Sequence, residues 1–175
     1  YVAVKAFDAA RRLLGEISEE AVSQILLQSL SGLVAFEAGN IEQAHAQADS
    51  ALRAWTVACD DSLVTESLAR LLVRLDRYAD ALPMWQALVE PSMPGPAVDG
   101  LFACAQKLTR DDVLLDTCQR LREAGTASKT VRQLEFFLLE RYDPGKAADL
   151  LAEYVEKNPE DHIARLMLCS CQLRT

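Results

Sequence analysis

Two histidines and several pairs of adjacent acidic residues are the side chains that acid–base chemistry would most readily use in this sequence. Neither His45 nor His162 has a Cys or Ser partner at the spacing that nucleophilic catalysis would suggest. Three of the acidic pairs are Glu19 with Glu20, Asp60 with Asp61, and Asp111 with Asp112. Each falls at a predicted helix start, where the helix dipole favours negative charge. Capping explains them without catalysis, so the sequence predicts no catalytic residues and no enzyme.

The cysteines also lack the spacings that would indicate disulfide bonds or a metal site. The five are Cys59, Cys104, Cys118, Cys169 and Cys171. An odd number without a C-x-x-C pair is unlike a disulfide framework or a zinc site. Cys169 and Cys171 point about 200° from each other on one predicted helix, so they cannot share a metal. We therefore predict reduced thiols, a cytoplasmic protein, and neither metal nor cofactor.

Charge and hydrophobicity exclude several classes of partner. The chain has 26 acidic and 18 basic residues and a formal net charge of −8. Such a balance disfavours attraction to phosphate backbones and anionic headgroups, so we predict no nucleic acid and no membrane as partner. Half of the residues are hydrophobic and only 6% are aromatic. Because Ala and Leu fill most apolar positions, the 175 residues are predicted to form a single all-α domain.

Helix starts and stops define the elements that must position any binding residue. Helix caps are predicted at Asn40, at Asp61 or Ser62, and at Thr109, Ser128 and Asp143, each followed by a run of helical periodicity. Pro83 lies inside another such run, and we place it in the first turn after a cap at Asp80. The segment EPSMPGP over 90–96 breaks the pattern. It is predicted to be either a long loop between helices or a hinge between two halves.

Small residues recur along these helices at a regular interval. Taking Ala44 as the marker of one helix, its equivalents are Ala81, Leu114 and Ala147, at spacings of 37, 33 and 33 residues. These bracket the ~34-residue period of the tetratricopeptide repeat, a pair of helices joined by a turn. Residues that match the pattern of that family are Gly32, Gly39, Ala44 and Ala51 in the first repeat, Leu68, Ala69, Tyr78 and Ala81 in the second, and Leu134, Ala147 and Pro159 in the last.

The chain therefore resembles the tetratricopeptide repeat family over most of its length. The sequence departs from the pattern in several places. In the third repeat Leu114 replaces a small residue and the turn has no glycine, in the fourth Glu135 stands at the position that Gly32 occupies, and no repeat has the early tryptophan. The resemblance implies a right-handed α-solenoid of antiparallel helical hairpins, with about eight to nine helices. Residues 1–175 would form one such array, cut from a longer protein.

In this family one side of each first helix lines the concave groove. Counting back from the markers places a strip of basic residues there, flanked by two aromatic rings. These residues are Arg70, Arg74, Lys107, Arg132, Phe36 and Phe136. An extended peptide with acidic side chains would suit such a groove. The alternative is a set of solvated cations that pair with neighbouring acids, as Arg70 would with Glu66 one turn away.

The function that follows from the resemblance is a non-enzymatic scaffold that binds a peptide or protein segment. An alternative is a regulatory or effector-sensing array attached to an enzyme or transcription regulator domain outside this chain. The partner is predicted to be a protein or peptide, and homo-oligomerisation is left open. At the set groove positions where chaperone-binding members place Lys and Asn, Glu66 and Arg70 stand here, which argues against that activity.

Overall fold

A computed structural model describes residues 24–55, 61–90 and 95–174 of the chain. The predicted helix over 2–14, the pair Glu19 and Glu20, and Cys59 lie outside these residues. So do residues 91–94 of the predicted hinge, which therefore stays a prediction.

The described residues form helices and no strands, which confirms the prediction of an all-α chain for this part of it. They comprise nine helices. The helices are α1 (Gln24–Glu37), α2 (Ile41–Ala54), α3 (Ser62–Arg74), α4 (Tyr78–Leu88), α5 (Ala97–Lys107), α6 (Asp111–Glu123), α7 (Lys129–Tyr142), α8 (Pro144–Lys157) and α9 (His162–Gln172).

The helices divide into two compact units. The N-terminal unit contains the described residues up to Leu108, with helices α1 to α5, and the C-terminal unit contains 109–174, with α6 to α9. Within each unit every helix packs against the next one. In addition, α1 contacts α3, α3 contacts α5, and α7 contacts α9.

Polar side chains cap many of these helices as the sequence predicts. Asn40 accepts a hydrogen bond from the backbone N–H of Gln43, and Asp143 accepts one from that of Lys146. Asp61 and Ser128 do the same at the starts of α3 and α7. Each acceptor satisfies a backbone donor that has no partner inside its own helix. The cap predicted at Thr109 is wrong, because Arg110 is the residue before α6 and its side chain makes no capping hydrogen bond.

Pro83 is placed differently from the prediction. Helix α4 begins at Tyr78, and Pro83 lies inside it rather than in its first turn after a cap at Asp80. Arg77 precedes the helix without a side-chain cap, and instead its guanidinium binds Asp49 and Asp80. Pro83 is exposed, so the backbone carbonyl that loses its proline donor can turn towards water.

Four turns between the described helices contain a left-handed residue, one of them at Gly125 with a φ of 74°, and the other three share a position relative to the repeat markers. Gly39 has a φ of 79°, Asp76 one of 57° and Thr109 one of 53°. Each stands five residues before one of the markers Ala44, Ala81 and Leu114. Glycine adopts this conformation freely, whereas Asp and Thr are strained in it. The turn conformation thus recurs with the spacing of the sequence repeat.

The N-terminal unit is packed through small residues. A Cβ added to Gly32 of α1 would lie 2.5 Å from Leu71 Cδ2 of α3 and 3.3 Å from Gln47 Cβ of α2. Ala44, at 0% exposure, is buried on α2. Gly100 of α5 similarly lies against the indole ring of Trp85. Small side chains therefore set how closely these helices approach.

The C-terminal unit has its own hydrophobic core. The buried members are Phe136, Leu139, Ala147, Leu151, Ala164 and Cys171. They come from α7, α8 and α9, so these three helices share one apolar centre.

Candidate functional site

The six residues predicted to line the groove belong to both units. Phe36, Arg70, Arg74 and Lys107 lie in the N-terminal unit, and Arg132 and Phe136 lie in the C-terminal unit. A continuous strip through all six therefore stays a prediction.

In the N-terminal unit the predicted arginines are exposed and paired. Arg70 Nη2 lies 2.5 Å from Glu66 Oε1, and Arg74 Nη1 lies 3.7 Å from Glu37 Oε1. The pair of Arg70 with Glu66 is the one that the solvated-cation alternative predicts. Lys107 is exposed at the end of α5 and forms no ion pair within the described residues. Phe36 is half-buried on α1.

In the C-terminal unit Arg132 borders an open recess of about 210 Å³. The residues that line it with Arg132 are Arg122, Phe136, Leu150, Glu153, Tyr154 and Lys157. They come from the end of α6, from α7 and from α8. The recess is smaller than the roughly 300–1,000 Å³ of sites for drug-sized ligands. Its size suits a side chain rather than a cofactor.

Tyr154 holds the aromatic part of this recess in place. Its ring lies edge-on to Phe136, with 5.3 Å between centroids. Its hydroxyl donates a hydrogen bond to Asp161 Oδ2 at 3.3 Å. Phe136 is only 2% exposed, so it supports the ring from the core more than it offers a surface of its own. With one edge packed and one atom bonded, the Tyr154 ring has a defined orientation.

Arg132 lies over that ring. Its Cζ atom is 5.7 Å from the Tyr154 centroid, within the range of a cation–π interaction. Its Nε donates a long hydrogen bond of 3.4 Å to the carbonyl of Ala127. Among the residues that the structure describes, no carboxylate lies within ion-pair distance of Arg132. The contacts that position this guanidinium are thus made with neutral groups.

Arg122 is held by a buried carboxylate. Its Nε donates to Glu135 Oε1 at 2.9 Å, and Glu135 is only 1% exposed. The second oxygen of this carboxylate has no partner in the described part of the chain. Glu135 is the residue that replaces glycine in the repeat pattern. Its burial is tolerated because Arg122, itself a quarter exposed, supplies the opposite charge.

A third cation, Lys157, borders the recess and pairs with Glu153. Its Nζ lies 2.6 Å from Glu153 Oε1, one turn away on the exposed side of α8. The hydrogen bond from Lys157 lowers the pKa of Glu153, and the charges of Arg122 and Arg132 lower it further. The recess therefore has a positive potential that acts on a carboxylate of the chain itself.

A second recess, of about 360 Å³, shares Tyr154 and Lys157 with the first. Lys129 and Asp161 also line it, and their charged atoms are 3.0 Å apart. The hydrogen bond from Lys129 lowers the pKa of Asp161, with the backbone N–H of Ala164 adding to the effect. Lys129 is thus already matched by a buried carboxylate.

The four cysteines within the described residues and the two histidines do not line these recesses. Burial raises the pKa of Cys104 to about 11 and that of Cys118 to about 12, where the nearby Glu135 charge also contributes. His45 is exposed, as is His162, whose Nδ1 lies 2.7 Å from an Arg165 nitrogen. Residues 24–55, 61–90 and 95–174 contain no cluster of metal-ligating side chains. None of their helices is long and apolar enough to cross a membrane.

Comparison with protein-family models, with curated proteins and with solved structures finds no match to this chain. The likeness to tetratricopeptide repeats therefore depends on the residues and turns described above.

Sequence reasoning found Arg132 but not Arg122, Tyr154 or Lys157. The count of groove positions considered only the first helix of each pair, whereas these three residues lie on α6 and α8. One signal was present in the sequence: Glu153 and Lys157 are four residues apart on a predicted helix, the spacing of an ion pair. Nothing in the sequence placed that pair beside Arg132.

Proposed function

We propose that this chain is a non-enzymatic interaction module that binds an extended segment of a peptide or protein. In this proposal its helices form a right-handed array of tetratricopeptide type. Two observations support the array. Alternate helices contact one another within each unit, and left-handed turn residues recur five residues before three of the repeat markers. A stack of helical pairs buries apolar faces between neighbours and leaves an extended surface for a partner.

The recess beside Arg132 is the observation that carries the binding role. The chain has a net charge of −8, yet this recess brings together three cations, one carboxylate and two aromatic rings, of which that of Tyr154 is the more exposed. Such a combination recognises carboxylates through charge-assisted hydrogen bonds and packs aliphatic parts of a peptide against the ring. A peptide that follows the helices would place one side chain in the recess.

Selection from a library of displayed random peptides tests this function. The immobilised chain is expected to enrich a family of related peptides. We expect binding of these peptides to fall at least tenfold in Arg132→Glu and to stay unchanged in Lys146→Glu, a matched reversal at an exposed lysine on α8. Enriched peptides that bind both variants like the wild type would refute a role for the recess. A selection without enrichment would refute the proposed function.

The predicted basic residues of α3 are tested with the same peptides. Reversing Arg70 and Arg74 together to Glu should weaken peptide binding without changing thermal stability, because their pairs with Glu66 and Glu37 are exposed and worth at most about 1 kcal/mol each. If the double variant binds the selected peptides as the wild type does, these arginines are solvated cations and the binding surface does not include α3.

A further inference from the structure

We propose that the recess selects side-chain carboxylates of an acidic segment, and that Glu153 is an internal competitor which such a segment displaces. Arg132 receives the incoming carboxylate, and Lys157 becomes available when Glu153 leaves. This inference deepens the proposed function and depends on it.

Arg132 is the residue that receives the incoming carboxylate. Its guanidinium lies over the Tyr154 ring and is held at Nε by the carbonyl of Ala127, so its position is fixed before a ligand arrives. No carboxylate of the described residues neutralises it. A planar guanidinium presents paired N–H donors that match the two oxygens of a carboxylate. Arg132 is therefore a receptor that needs little rearrangement to bind one.

The two carboxylates near the recess differ in how easily their ion pairs break. Glu135 is buried and bound to Arg122, so releasing it would leave an unpaired charge inside the unit. The Glu153 side chain is 64% exposed, and among the described residues its ion pair is with Lys157, which is 69% exposed. An exposed pair of this kind has a small net stability and separates easily. Glu153 can leave, and Glu135 stays.

Glu153 already experiences an attraction from two arginines. Arg122 and Arg132 both contribute to the lowered pKa of Glu153, although neither forms an ion pair with it. The positive charges of Arg122 and Arg132, which would attract the carboxylate of a ligand, therefore already attract that of Glu153. Removing the Glu153 charge should strengthen binding, while removing Arg132 should weaken it.

An acidic peptide fits this arrangement better than a nucleic acid. The net charge of −8 repels a phosphate backbone at long range, and a strand needs many cations along its length rather than three in one recess. The Tyr154 ring is also covered by Arg132, so that face does not receive a stacked base.

The experiment uses a fluorescein-labelled octapeptide of alternating Glu and Gly, with an amidated C-terminus, and measures its binding to the full chain by fluorescence anisotropy. At an ionic strength of about 0.02 M, where screening is weak, we expect saturable binding. We also expect an alternating Gln and Gly peptide to bind at least tenfold more weakly, because it lacks the charge-assisted hydrogen bonds.

Variants give the proposal a signature with opposite signs. Arg132→Gln should weaken the Glu peptide about tenfold or more, and Glu153→Gln should tighten it about threefold or more. Glu156→Gln is the matched control, since it removes the same charge from an exposed position on α8 outside the recess and should change affinity less than twofold. Equal effects of Glu153→Gln and Glu156→Gln would overturn the competitor role.

Further arms distinguish other sources of the same chemistry. A Gln and Gly peptide with a free C-terminus that binds more tightly than the amidated Glu peptide would assign the recess to a chain terminus and overturn the proposal. Tighter binding of an oligothymidine octamer would overturn it in favour of a nucleic acid. If peptides selected from the random library bind while the Glu peptide does not, the proposed function stands and this inference fails.

Discussion

Replacing Arg122 by Met tests the charge balance on which the recess depends. The substitution keeps a similar side-chain length but leaves Glu135, at 1% exposure, without its opposite charge. One oxygen of that carboxylate already lacks a partner among the described residues, and the other would lose the donor 2.9 Å away. We therefore expect a large loss in the free energy of unfolding of the chain.

The size of the loss follows from the fate of the stranded carboxylate. Breaking a buried ion pair on one side typically costs ~3–5 kcal/mol. The carboxyl can limit this loss by taking up a proton, and protonating a glutamate of ordinary acidity at pH 7 costs about 3.7 kcal/mol. At pH 5 the same protonation costs only about 1 kcal/mol. The folded variant then binds a proton that the unfolded chain does not, so its stability falls as pH rises.

Urea unfolding followed by far-ultraviolet circular dichroism measures this difference. We expect a loss of about 3 kcal/mol at pH 7 that shrinks to about 1 kcal/mol at pH 5. The matched control is Arg120→Met on the same helix, because the ion pair of Arg120 within the described residues is with the exposed Asp116, at 3.9 Å. In a double variant with Glu135→Leu the loss should largely disappear. A loss equal to that of the control, or the same at both pH values, would refute the reasoning.

Three further predictions concern packing, titration and thiol reactivity. Gly32→Ala should lower the free energy of unfolding by ~1–3 kcal/mol, since its methyl group would meet a leucine of α3. Gly145→Ala, which meets only a side-chain oxygen at 3.7 Å, should raise it by up to about 1 kcal/mol; opposite results in urea titrations would contradict the packing. Lys129→Gln should lower the melting temperature at pH 7. This difference should disappear as pH falls below the ordinary aspartate value of 3.8, because the pKa of Asp161 is held below it by Lys129. The Cys104 thiol, with a pKa of about 11, should be alkylated at pH 8 on the order of a hundredfold more slowly than in urea, measured by mass spectrometry; equal rates would contradict its burial.

The helix starts could be predicted because their causes are local. At Asn40, Asp61, Ser128 and Asp143 one side chain bonds a backbone N–H two or three residues further along, so a short stretch of sequence contains both partners. The small residues of the first repeat were predictable for a related reason. Their spacing indicates a close approach of helices, as at Gly32, before the neighbour is known.

The start of α4 could not be predicted in the same way. A proline in the sixth helical position removes a donor, and local rules therefore favour a later start at Asp80. Arg77 bonds both Asp80 and the distant Asp49, whose pKa is lowered chiefly by this hydrogen bond. The contact between Arg77 and Asp49 accompanies the start of α4 at Tyr78, before Asp80. The two residues are 28 positions apart, so the residues around Pro83 alone do not indicate this contact.

The candidate site was predicted only where one helix supplies it. Arg132 follows from counting along its own helix, and so does the exposure of Arg70 and Arg74. The recess depends on Arg122 of α6 and Tyr154 of α8 lying beside α7, and this arrangement is set by the packing of the three helices. Phe136 illustrates the limit, since helical counting placed it beside the groove and the structure buries it against the Tyr154 ring.

The departures from the repeat pattern proved more informative about chemistry than the matches. Gly32 and Ala44 explain how helices approach one another. Glu135, at the position equivalent to Gly32, breaks that rule and places a carboxylate where a small residue is expected. Its burial is sustained by Arg122, which brings a cation to the edge of the recess beside Arg132. A residue that violates the local pattern and is compensated by a partner from another helix is what a functional position is expected to look like. The contact between Glu135 and Arg122 thus connects one departure from the repeat pattern to the edge of the recess.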